Sequence, residues 1–549
     1  MTDTTPTEIA SASYWGSDAE KKRVKARYAA DRRLQFYGLG AIALAIVLLG
    51  ILVVSLITAG YQAFVQTKVN LPVYVDPQYV NADDIRGGNF RLIARNAFQK
   101  LFPEVTNRGE VRELNKLMTS NAPYIVRDYV AANPESIGKT VTLQIALSDP
   151  YDQLHKGVMP PYLDALPRGR LQDFDSLKRR GVIFTDGTMP TVEIDAFLDP
   201  KRIDKNDLAN GEYKEIAEEG IASYFERQRG DEYLAMLGGG APDAIKSFVE
   251  ANPDRIGKTV RIKVPLSKHY AVLAEGDVPK IVNPRFGSAK PLEWYDSLEK
   301  RGLLETVFAR ELFVNADSRF PEQAGLAGAI AGSFFALLVC FLLSFPIAIS
   351  AAVYLEEFAP KNRVTDLIEV NINNLAAVPS VVFGLLGLAV FLGTFGLPRS
   401  APLVGGMVLS LMTLPTIIIA TRAALKAVPP SIREAALGVG ASKHQVMLHH
   451  VLPLAMPGIL TGTIIGLAQA LGETAPLLLI GMNAFIPSVE NIGVLEPATA
   501  LPTQIFSWAD SPERGFVART SAAILVLLGF LLVMNAIAIF LRQKFERKW

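Results

Sequence analysis

Glu473 is the ionisable side chain best placed to do chemistry in an apolar environment, because it lies within the run Leu467–Leu478. An ionisable residue inside a membrane span costs about 2.5 to 3.5 kcal/mol on insertion scales and is expected to face a pathway or a charged partner. We predict that Glu473 is one member of a charge pair that locks helices in one state. The alternatives are direct substrate contact and a structural acid, hydrogen-bonded where Gly472 and Pro476 interrupt the helix.

Other polar side chains accompany apolar runs and are candidates for the same pathway. Gln469 and Thr474 flank Glu473, and a second group stands where another apolar run begins. Hydrogen bonds between helices are an alternative role for such residues, and a pathway for a hydrated anion would use the same donors. The predicted gating or pathway residues are Glu473, Gln469, Thr474, Asn373, Asn374 and Ser380.

A second distinctive pattern occurs in the polar loop 428–453, which separates two apolar runs. Ser431 is predicted to cap a short helix that has Glu434 at its third position. Ala435 and Ala436 offer a surface for close packing, and Gly440 permits a turn into a second short helix. The pattern therefore predicts a knob of two short helices at a membrane surface, able to seat in a groove of a partner.

Signatures of catalysis and of metal binding are missing from the sequence. Cys340 is the one cysteine, and His155 and His269 have no second histidine at metal-ligand spacing. The Gly-Lys-Thr triplets at 138–140 and 257–259 lack the preceding glycine of a phosphate-binding loop, since Asn133 and Asn252 stand there. We expect no catalytic residue, no metal and no cofactor, and we expect each triplet to form a turn from helix to strand.

The apolar runs indicate an α-helical polytopic membrane protein. The chain has 549 residues, of which 50% are hydrophobic. A membrane helix needs about 20 mostly apolar residues. Six stretches meet this requirement, at about 39–59, 327–352, 379–395, 403–423, 457–480 and 522–541.

The orientation follows from basic residues near the ends of the spans, because these residues are retained on the cytoplasmic side. Seven of them precede the first span, between Lys21 and Arg33. We therefore predict cytoplasmic termini, a bacterial inner-membrane location and an external segment at 61–322. The basic tail agrees with this orientation; it contains Arg542, Lys544, Arg547 and Lys548.

The segment 61–322 contains an internal repeat. Ala132-Asn133-Pro134 and the following Ile137–Val141 recur as Ala251-Asn252-Pro253 and Ile256–Val260. We predict two tandem modules, at about 71–186 and 190–314, each of mixed α and β structure. The predicted domains are a basic arm (1–38), a first transmembrane helix (39–60), a periplasmic α+β domain (61–322), and a C-terminal domain with five transmembrane helices (323–549).

Two motifs resemble those of a known family. The segment Glu434-Ala435-Ala436, with Gly440 and the closing Leu452-Pro453, is similar to the EAA loop of ABC importer permeases. The segment Gly472–Pro476 is similar to the Gly-Glu-Thr-Ala-Pro signature of phosphate permeases of the PstA type. The resemblance covers nearly all of residues 320–549.

The resemblance implies a type I ABC importer permease core of five of the six spans, with an inserted extracytoplasmic tandem-repeat domain. It implies that Glu434, Ala435, Ala436 and Gly440 couple the permease to a separate ATPase dimer of the PstB type, so that the chain itself is not an enzyme. It also implies a second permease of the PstC type, a periplasmic phosphate-binding protein of the PstS type and a lipid bilayer as partners, with no nucleic acid. A cationic residue is expected near the position of Gln469, and here the second permease would have to supply it.

Two other functions remain open on the sequence. The first is a permease for another oxyanion or small solute. The second is a membrane-anchored sensor whose repeat domain binds a ligand outside the cell and which acts without an ATPase.

Overall fold

The computed structural model describes residues 18–81, 84–186, 189–225, 233–488 and 493–545. Arg547 and Lys548 of the predicted basic tail lie outside these residues. The chain forms two compact units. The first comprises Met1–Leu101, Met118–Asp152 and Leu304–Trp549, and the second comprises Phe102–Leu117 and Gln153–Leu303.

The first apolar helix leads directly into a β-sheet. Helix α1 (Asp18–Phe64) includes the described part of the predicted basic arm, and strand β1 (Val65–Tyr74) begins at the next residue. The most apolar window of α1 is not buried by the rest of the chain, which is the expected state of a surface that faces lipid. Because no loop separates α1 from β1, a movement of this helix reaches the sheet directly.

The segment after α1 contains the same order of elements twice. The first series is β1, α2 (Phe90–Lys100), α3 (Arg108–Asn115), α4 (Ala122–Ala132), β2 (Thr140–Ala146), α5 (Asp149–His155), β3 (Tyr162–Asp164), α6 (Arg168–Arg179) and β4 (Ile183–Phe184). The second series is β5 (Thr191–Phe197), α7 (Tyr213–Ala222), α8 (Ala241–Ala251), β6 (Thr259–Pro265), α9 (Lys268–Glu275), β7 (Lys280–Val282), α10 (Ala289–Lys300) and β8 (Leu304–Phe308). The strands β2 and β6 occur where alternating apolar residues predict them.

The sheets cross the boundary between the repeats. One sheet has the order β2-β1-β8 and the other the order β4-β5-β6, so each contains the last strand of the other repeat. Lys68 in β1 pairs with Glu305 in β8, and Ile183 in β4 pairs with Val192 in β5. The strands β3 and β7, which are equivalent in the two repeats, pair with each other. A cut near residue 188 would therefore leave both three-stranded sheets incomplete.

The two Gly-Lys-Thr triplets form turns, as the sequence predicts. Gly138 and Gly257 have φ angles of +83° and +89°, in the left-handed region that glycine adopts without strain. Their amides donate to the carbonyl oxygens of Val75 and Leu198 at 2.7 and 2.8 Å. Each turn thus leads into a strand, and its amide is already used within the fold.

The remainder of the chain is helical. A short helix, α11 (Glu311–Val314), precedes the second apolar helix. The helices that follow are α12 (Ala327–Val353, continued as a π-helix at Tyr354–Phe358), α13 (Arg363–Ala376), α14 (Ser380–Leu386, continued as a π-helix at Gly387–Thr394), α15 (Pro402–Lys426), α16 (Pro430–Gly438), α17 (Lys443–Val446), α18 (Leu452–Gly472), α19 (Ala475–Leu479), α20 (Leu501–Ala509) and α21 (Gly515–Phe545).

Among the described residues, five helices are long and apolar enough to cross a membrane, at Lys21–Phe64, Ala327–Phe358, Pro402–Lys426, Lys443–Gly472 and Gly515–Lys544. The predicted third span (379–395) corresponds to the second of two helices, Arg363–Ala376 and Ser380–Thr394, which are bent by 102° at the break between them. Pro379 lies at this break, where it lacks the backbone N–H that a continuous helix would use. The predicted fifth span is displaced toward the N-terminus, because its helix runs from Lys443 and ends at Gly472 rather than continuing to Ile480.

Small residues allow the long apolar helices to approach closely. A Cβ atom at Gly406 in α15 would lie 2.5 Å from Cβ of Val339 in α12. A Cβ atom at Gly458 in α18 would lie 2.7 Å from Cβ of Ala424 in α15. The helices α12, α15 and α18 therefore pack with glycine at their contacts, as is common between membrane helices.

Gly332→Ala is expected to destabilise the protein, whereas Gly328→Ala is its matched control. A Cβ atom at Gly332 would overlap the carbonyl oxygen of Thr499, but one at Gly328 meets no atom within 4 Å. Within a helix, alanine is more favourable than glycine by about 1 kcal/mol. At Gly332 the steric overlap must cost more than this gain, whereas Gly328→Ala keeps the gain without overlap. Thermal unfolding in detergent should show a lower Tm for Gly332→Ala alone. Equal Tm values for the two variants would contradict the packing.

Candidate functional site

The loop after α15 folds as two short helices joined by a tight turn. Gly440 has a φ angle of +89°, and its amide donates to the carbonyl oxygen of Leu437 at 2.9 Å. The amide of Ala441 donates to the carbonyl oxygen of Ala436 at 3.1 Å. This turn closes α16 and directs the chain into α17, as the glycine predicts.

The predicted cap of α16 is wrong. The N-cap is Pro429, which makes no side-chain cap hydrogen bond, so Ser431 lies within the first turn and Glu434 lies in the second. Ser442 instead caps α17, with the reciprocal bonds of a capping box to Gln445. The capping signal was present in the sequence, but it acts at the second helix of the loop.

Helix α16 has one buried and one exposed face. Ala436 is buried against Leu425, Val446 and Met447. Glu434 and Ala435 are exposed, and Val439 retains 86% of its surface. The helix is therefore attached to the rest of the helical region through Ala436, while Glu434 and Ala435 face outward.

Arg433 fixes this orientation. Its guanidinium forms an ion pair with Glu357 at 3.0 Å and donates to the carbonyl oxygens of Leu425 and Val428 at 2.8 and 3.0 Å. Leu425 lies in the last turn of α15, and Val428 lies just beyond the end of this helix. Arg433 thus joins the loop to the ends of α12 and α15 through charge-assisted hydrogen bonds.

A second group of ion pairs lies next to Arg433. Arg422 in α15 contacts Glu356 at 3.4 Å and Glu369 in α13 at 2.7 Å. Lys426 also contacts Glu356, at 3.5 Å. These ion pairs and their carboxylates were not predicted from the sequence. The adjacent pair Glu356-Glu357 at the end of an apolar run was the signal that could have found them.

Glu473 lies at a break between helices. Helix α18 ends at Gly472, Glu473 has an extended backbone (φ −75°, ψ 122°), and α19 begins at Ala475. The side chain is half-buried. Within the described part of the chain, its carboxylate forms no ion pair and no hydrogen bond. The charge partner predicted for Glu473 is thus not found among these residues.

The other predicted pathway residues are only partly brought together. Gln469 is exposed one helical turn before Glu473, Thr474 is half-buried beside it, and Ser380 begins α14. Helix α14 packs tightly on α19, since a Cβ atom at Gly384 would lie 2.7 Å from Cα of Pro476. This packing places the beginning of α14 in the neighbourhood of the break.

The two predicted asparagines lie on α13. Asn373 and Asn374 are exposed, and Asn374 lines a shallow groove together with Ile368, Asn371, Ile372, Leu375 and Val378. None of the contacts described for these side chains joins them to Glu473. The asparagines therefore mark an open polar and apolar surface of α13 rather than a closed site.

The helical part of the chain matches a family described as the binding-protein-dependent transport system inner membrane component, at residues 344–549. The chain is 32% identical over 241 residues to the phosphate transport system permease protein PstA of Haemophilus influenzae, a match that covers 43% of this chain and 82% of that protein. It is also 32% identical over 226 residues to the phosphate transport system permease protein PstA 1 of Mycobacterium tuberculosis, covering 40% and 72%. The chain belongs to the PstA-type permease family.

Two further comparisons complete this picture of the PstA-type permease. Residues 21–164 and 188–283 match a domain of unknown function, DUF3333, which forms an extension before the permease part. The inward-facing MetNI methionine ABC transporter aligns with 40% of this chain and with 98% of its own chain, at 17% identity and a TM-score of 0.32.

As a PstA-type permease, the chain is the membrane subunit of an ABC importer and a multi-pass protein of the inner membrane. Subunits of this class operate with an ATPase and a substrate-binding protein. The resemblance to PstA-type permeases and the predicted fold class are thereby confirmed. The fold is an importer permease core with an inserted domain of sheets and helices.

Proposed function

We propose that this chain is the permease subunit of an ATP-driven phosphate importer and that it couples to its ATPase through α16. The exposed face of α16, which carries Glu434 and Ala435, is the observation that supports the coupling role. Ala436 and Arg433 hold that face outward, and Gly440 provides the turn behind it. A rigidly held, unpartnered helix at the end of two spans is suited to transmit a movement of the ATPase to the permease.

The proposed partners are a PstB-type ATPase dimer, a PstC-type second permease and a PstS-type phosphate-binding protein. The names of the PstA relatives support phosphate as the substrate, and another oxyanion or small solute is the alternative. Labelled-phosphate uptake in a deletion strain, with and without the gene for this chain, tests the substrate. Restored uptake is expected, and unchanged high-affinity uptake in the deletion strain would refute the proposal.

We propose that both termini and α16 lie in the cytoplasm. Lys361 and Arg363 follow the second apolar helix, and α16 follows α15, so the chain must cross the membrane between residues 363 and 402 for both to be cytoplasmic. The crossing element is Ser380–Thr394, which follows the 102° bend. Helix α13 then lies on the cytoplasmic side before the crossing, and the repeat domain is external.

Glu473→Gln is expected to lower phosphate uptake about tenfold or more while leaving membrane insertion and ATPase binding unchanged. The carboxylate has no partner in the described residues of this chain, so we infer that the second permease subunit supplies its cationic partner, which the neutral amide would not hold. Uptake by membrane vesicles at matched protein levels measures the effect.

Glu496→Gln is the matched control for this substitution, because Glu496 is an exposed carboxylate in the same part of the chain. It should transport normally. Normal uptake by Glu473→Gln as well would exclude the gating role.

A further inference from the structure

Arg519 is a buried charge in the first turns of the last membrane helix, α21. Its side chain retains only a small exposed fraction (5% for the residue), and its Nη1 donates to the carbonyl oxygen of Ala324 at 3.3 Å. The carboxylates of Asp149, Asp152, Glu311 and Glu322 interact electrostatically with it. A buried guanidinium is tolerated only when such partners compensate the loss of water.

All four carboxylates come from outside the membrane helices. Asp149 and Asp152 lie on α5, Glu311 lies on α11, and Glu322 lies in the connection to α12. Lys68 in β1 forms an ion pair with Glu311 at 2.6 Å. We call these groups the junction cluster: Lys68, Asp149, Asp152, Glu311, Glu322 and Arg519.

Strand β1 is bonded to the junction cluster at two further points. The amide of Thr67 donates to Oδ1 of Asp152 at 2.8 Å, and Nε2 of Gln66 donates to the carbonyl oxygen of Glu322 at 2.8 Å. Gln66 and Thr67 are both buried. The cluster thus links the central strand of the first sheet to the beginning of α21.

The membrane helices beside this strand are also in contact. A Cβ atom at Gly60 in α1 would lie 3.0 Å from Cδ1 of Leu525 and 3.1 Å from the backbone nitrogen of Ala522 in α21. Because α1 continues into β1, the first sheet is held to α21 both by helix packing and by the junction cluster. A displacement of the sheet would consequently be passed to α21.

We propose that the junction cluster is the joint through which the inserted α+β domain positions the last membrane helix during transport, with Arg519 as the positioning residue. This inference rests on the proposed transport function. It assigns a role to the extension that distinguishes this chain from a permease consisting of the helical part alone.

The charges of the junction cluster make the joint dependent on pH. Four carboxylates face two cations, Lys68 and Arg519, so the cluster is anionic when every group is ionised. Burial raises the pKa of Glu322 to about 7, and the charge of Asp149 adds to this rise, while the Thr119 hydrogen bond and Arg519 oppose it. The folded state therefore favours protonated Glu322. This contribution to stability is complete below the ordinary carboxyl pKa and is lost as the pH rises to about 7.

Two substitutions of Arg519 in the full chain test the positioning role. Arg519→Gln is expected to insert and to bind the ATPase but to lower uptake about tenfold or more, because the carboxylates lose their cation. Arg519→Lys, which keeps the charge, should recover part of the uptake. Arg514→Gln, which changes an exposed arginine five residues earlier, is the matched control and should transport normally.

Wild-type uptake by Arg519→Gln would overturn the proposal. ATP hydrolysis by the permease copurified with its ATPase is measured in parallel, because this readout does not depend on which solute is carried. If the wild type carries no phosphate but Arg519→Gln loses stimulated hydrolysis, only the substrate assignment fails. If both variants of Arg519 fail to accumulate, the Glu322 experiment decides.

Glu322→Gln provides a second test: the pH dependence of stimulated ATP hydrolysis, which would not depend on Glu322 if Arg519 had a purely structural role. The Tm of the wild type relative to this variant is expected to fall between pH 5 and pH 7 and to stay level above pH 7, because only the wild type loses a proton from this position. The ratio of stimulated ATP hydrolysis in the two proteins should follow the same pH course. A Tm difference or an activity ratio that does not vary with pH would contradict the proposed joint.

Discussion

Glu434→Arg is expected to abolish copurification of the permease with its ATPase and to reduce phosphate uptake to the background of the deletion strain. Glu434 lies on the exposed face of α16, and a reversed charge at the centre of a protein interface costs several kcal/mol through repulsion and loss of pairing. The substitution removes no hydrogen bond or ion pair among the described residues, so membrane levels and Tm should remain unchanged. Affinity purification from detergent-solubilised membranes measures the association.

Glu496→Arg is the control for Glu434→Arg, because it makes the same charge reversal at an exposed carboxylate outside the loop. It should retain the ATPase. Copurification of normal amounts of ATPase with Glu434→Arg would show that α16 is not the docking element.

Arg433→Ala is expected to produce the second-largest loss, by releasing α16 from the ends of α12 and α15. The substitution removes an ion pair to Glu357 and leaves the half-buried carbonyl oxygens of Leu425 and Val428 without these hydrogen bonds. Each lost bond of this kind costs about 1 to 3 kcal/mol. Uptake should fall strongly, and the ATPase should bind more weakly although the exposed face of α16 is chemically intact.

The pair Arg433 and Glu357 is best tested with a double-mutant cycle. Arg433→Ala, Glu357→Ala and the double variant are compared for Tm and for ATPase binding. The double variant is expected to lose less than the sum of the single variants, because the two side chains stabilise the protein through one shared contact. Strict additivity would mean that the observed ion pair contributes nothing to anchoring the loop.

The sequence predicted the two short helices of the loop 428–453 but not the residue at which the first of them begins. Two segments, Ser431–Glu434 and Ser442–Gln445, fit the capping-box pattern, and only the second forms a capping box. Pro430 decides the first case, because proline is favoured at the first helical position and moves the start of α16 ahead of Ser431. The turn at Gly440 was predictable because few residues other than glycine adopt the left-handed conformation that such a turn requires.

The spans show which part of a membrane helix hydropathy can predict. Apolar composition located all of the long helices, but it did not predict the 102° bend before Ser380 or the end of α18 at Gly472. These breaks occur within or beside apolar runs and depend on local backbone geometry. The ion pairs of Arg422 and Arg433 were not predicted either, because their partners lie on other helical segments, 53 to 76 residues away.

The repeat in the inserted segment was predictable, and its sheet pairing was not. The sequence Arg180-Gly181 precedes β4 as Arg301-Gly302 precedes β8, so the two strands carry similar signals. Repeated sequences can pair within one repeat or between two, and the alternation of apolar residues is the same in both cases. The choice of partner depends on the packing of the whole segment.

The exchange of strands between the repeats has a consequence for biosynthesis. Strand β1 leaves the ribosome early, but its partner β8 is made only after both repeats are nearly complete. One edge of β1 therefore remains unpaired until β8 has been made, and pairing between strands that are far apart in the sequence slows folding. Because α12 follows closely after β8, completion of the first sheet coincides with the arrival of the second membrane helix. The chain is thus built so that the extension finishes folding only when the permease has begun to enter the bilayer.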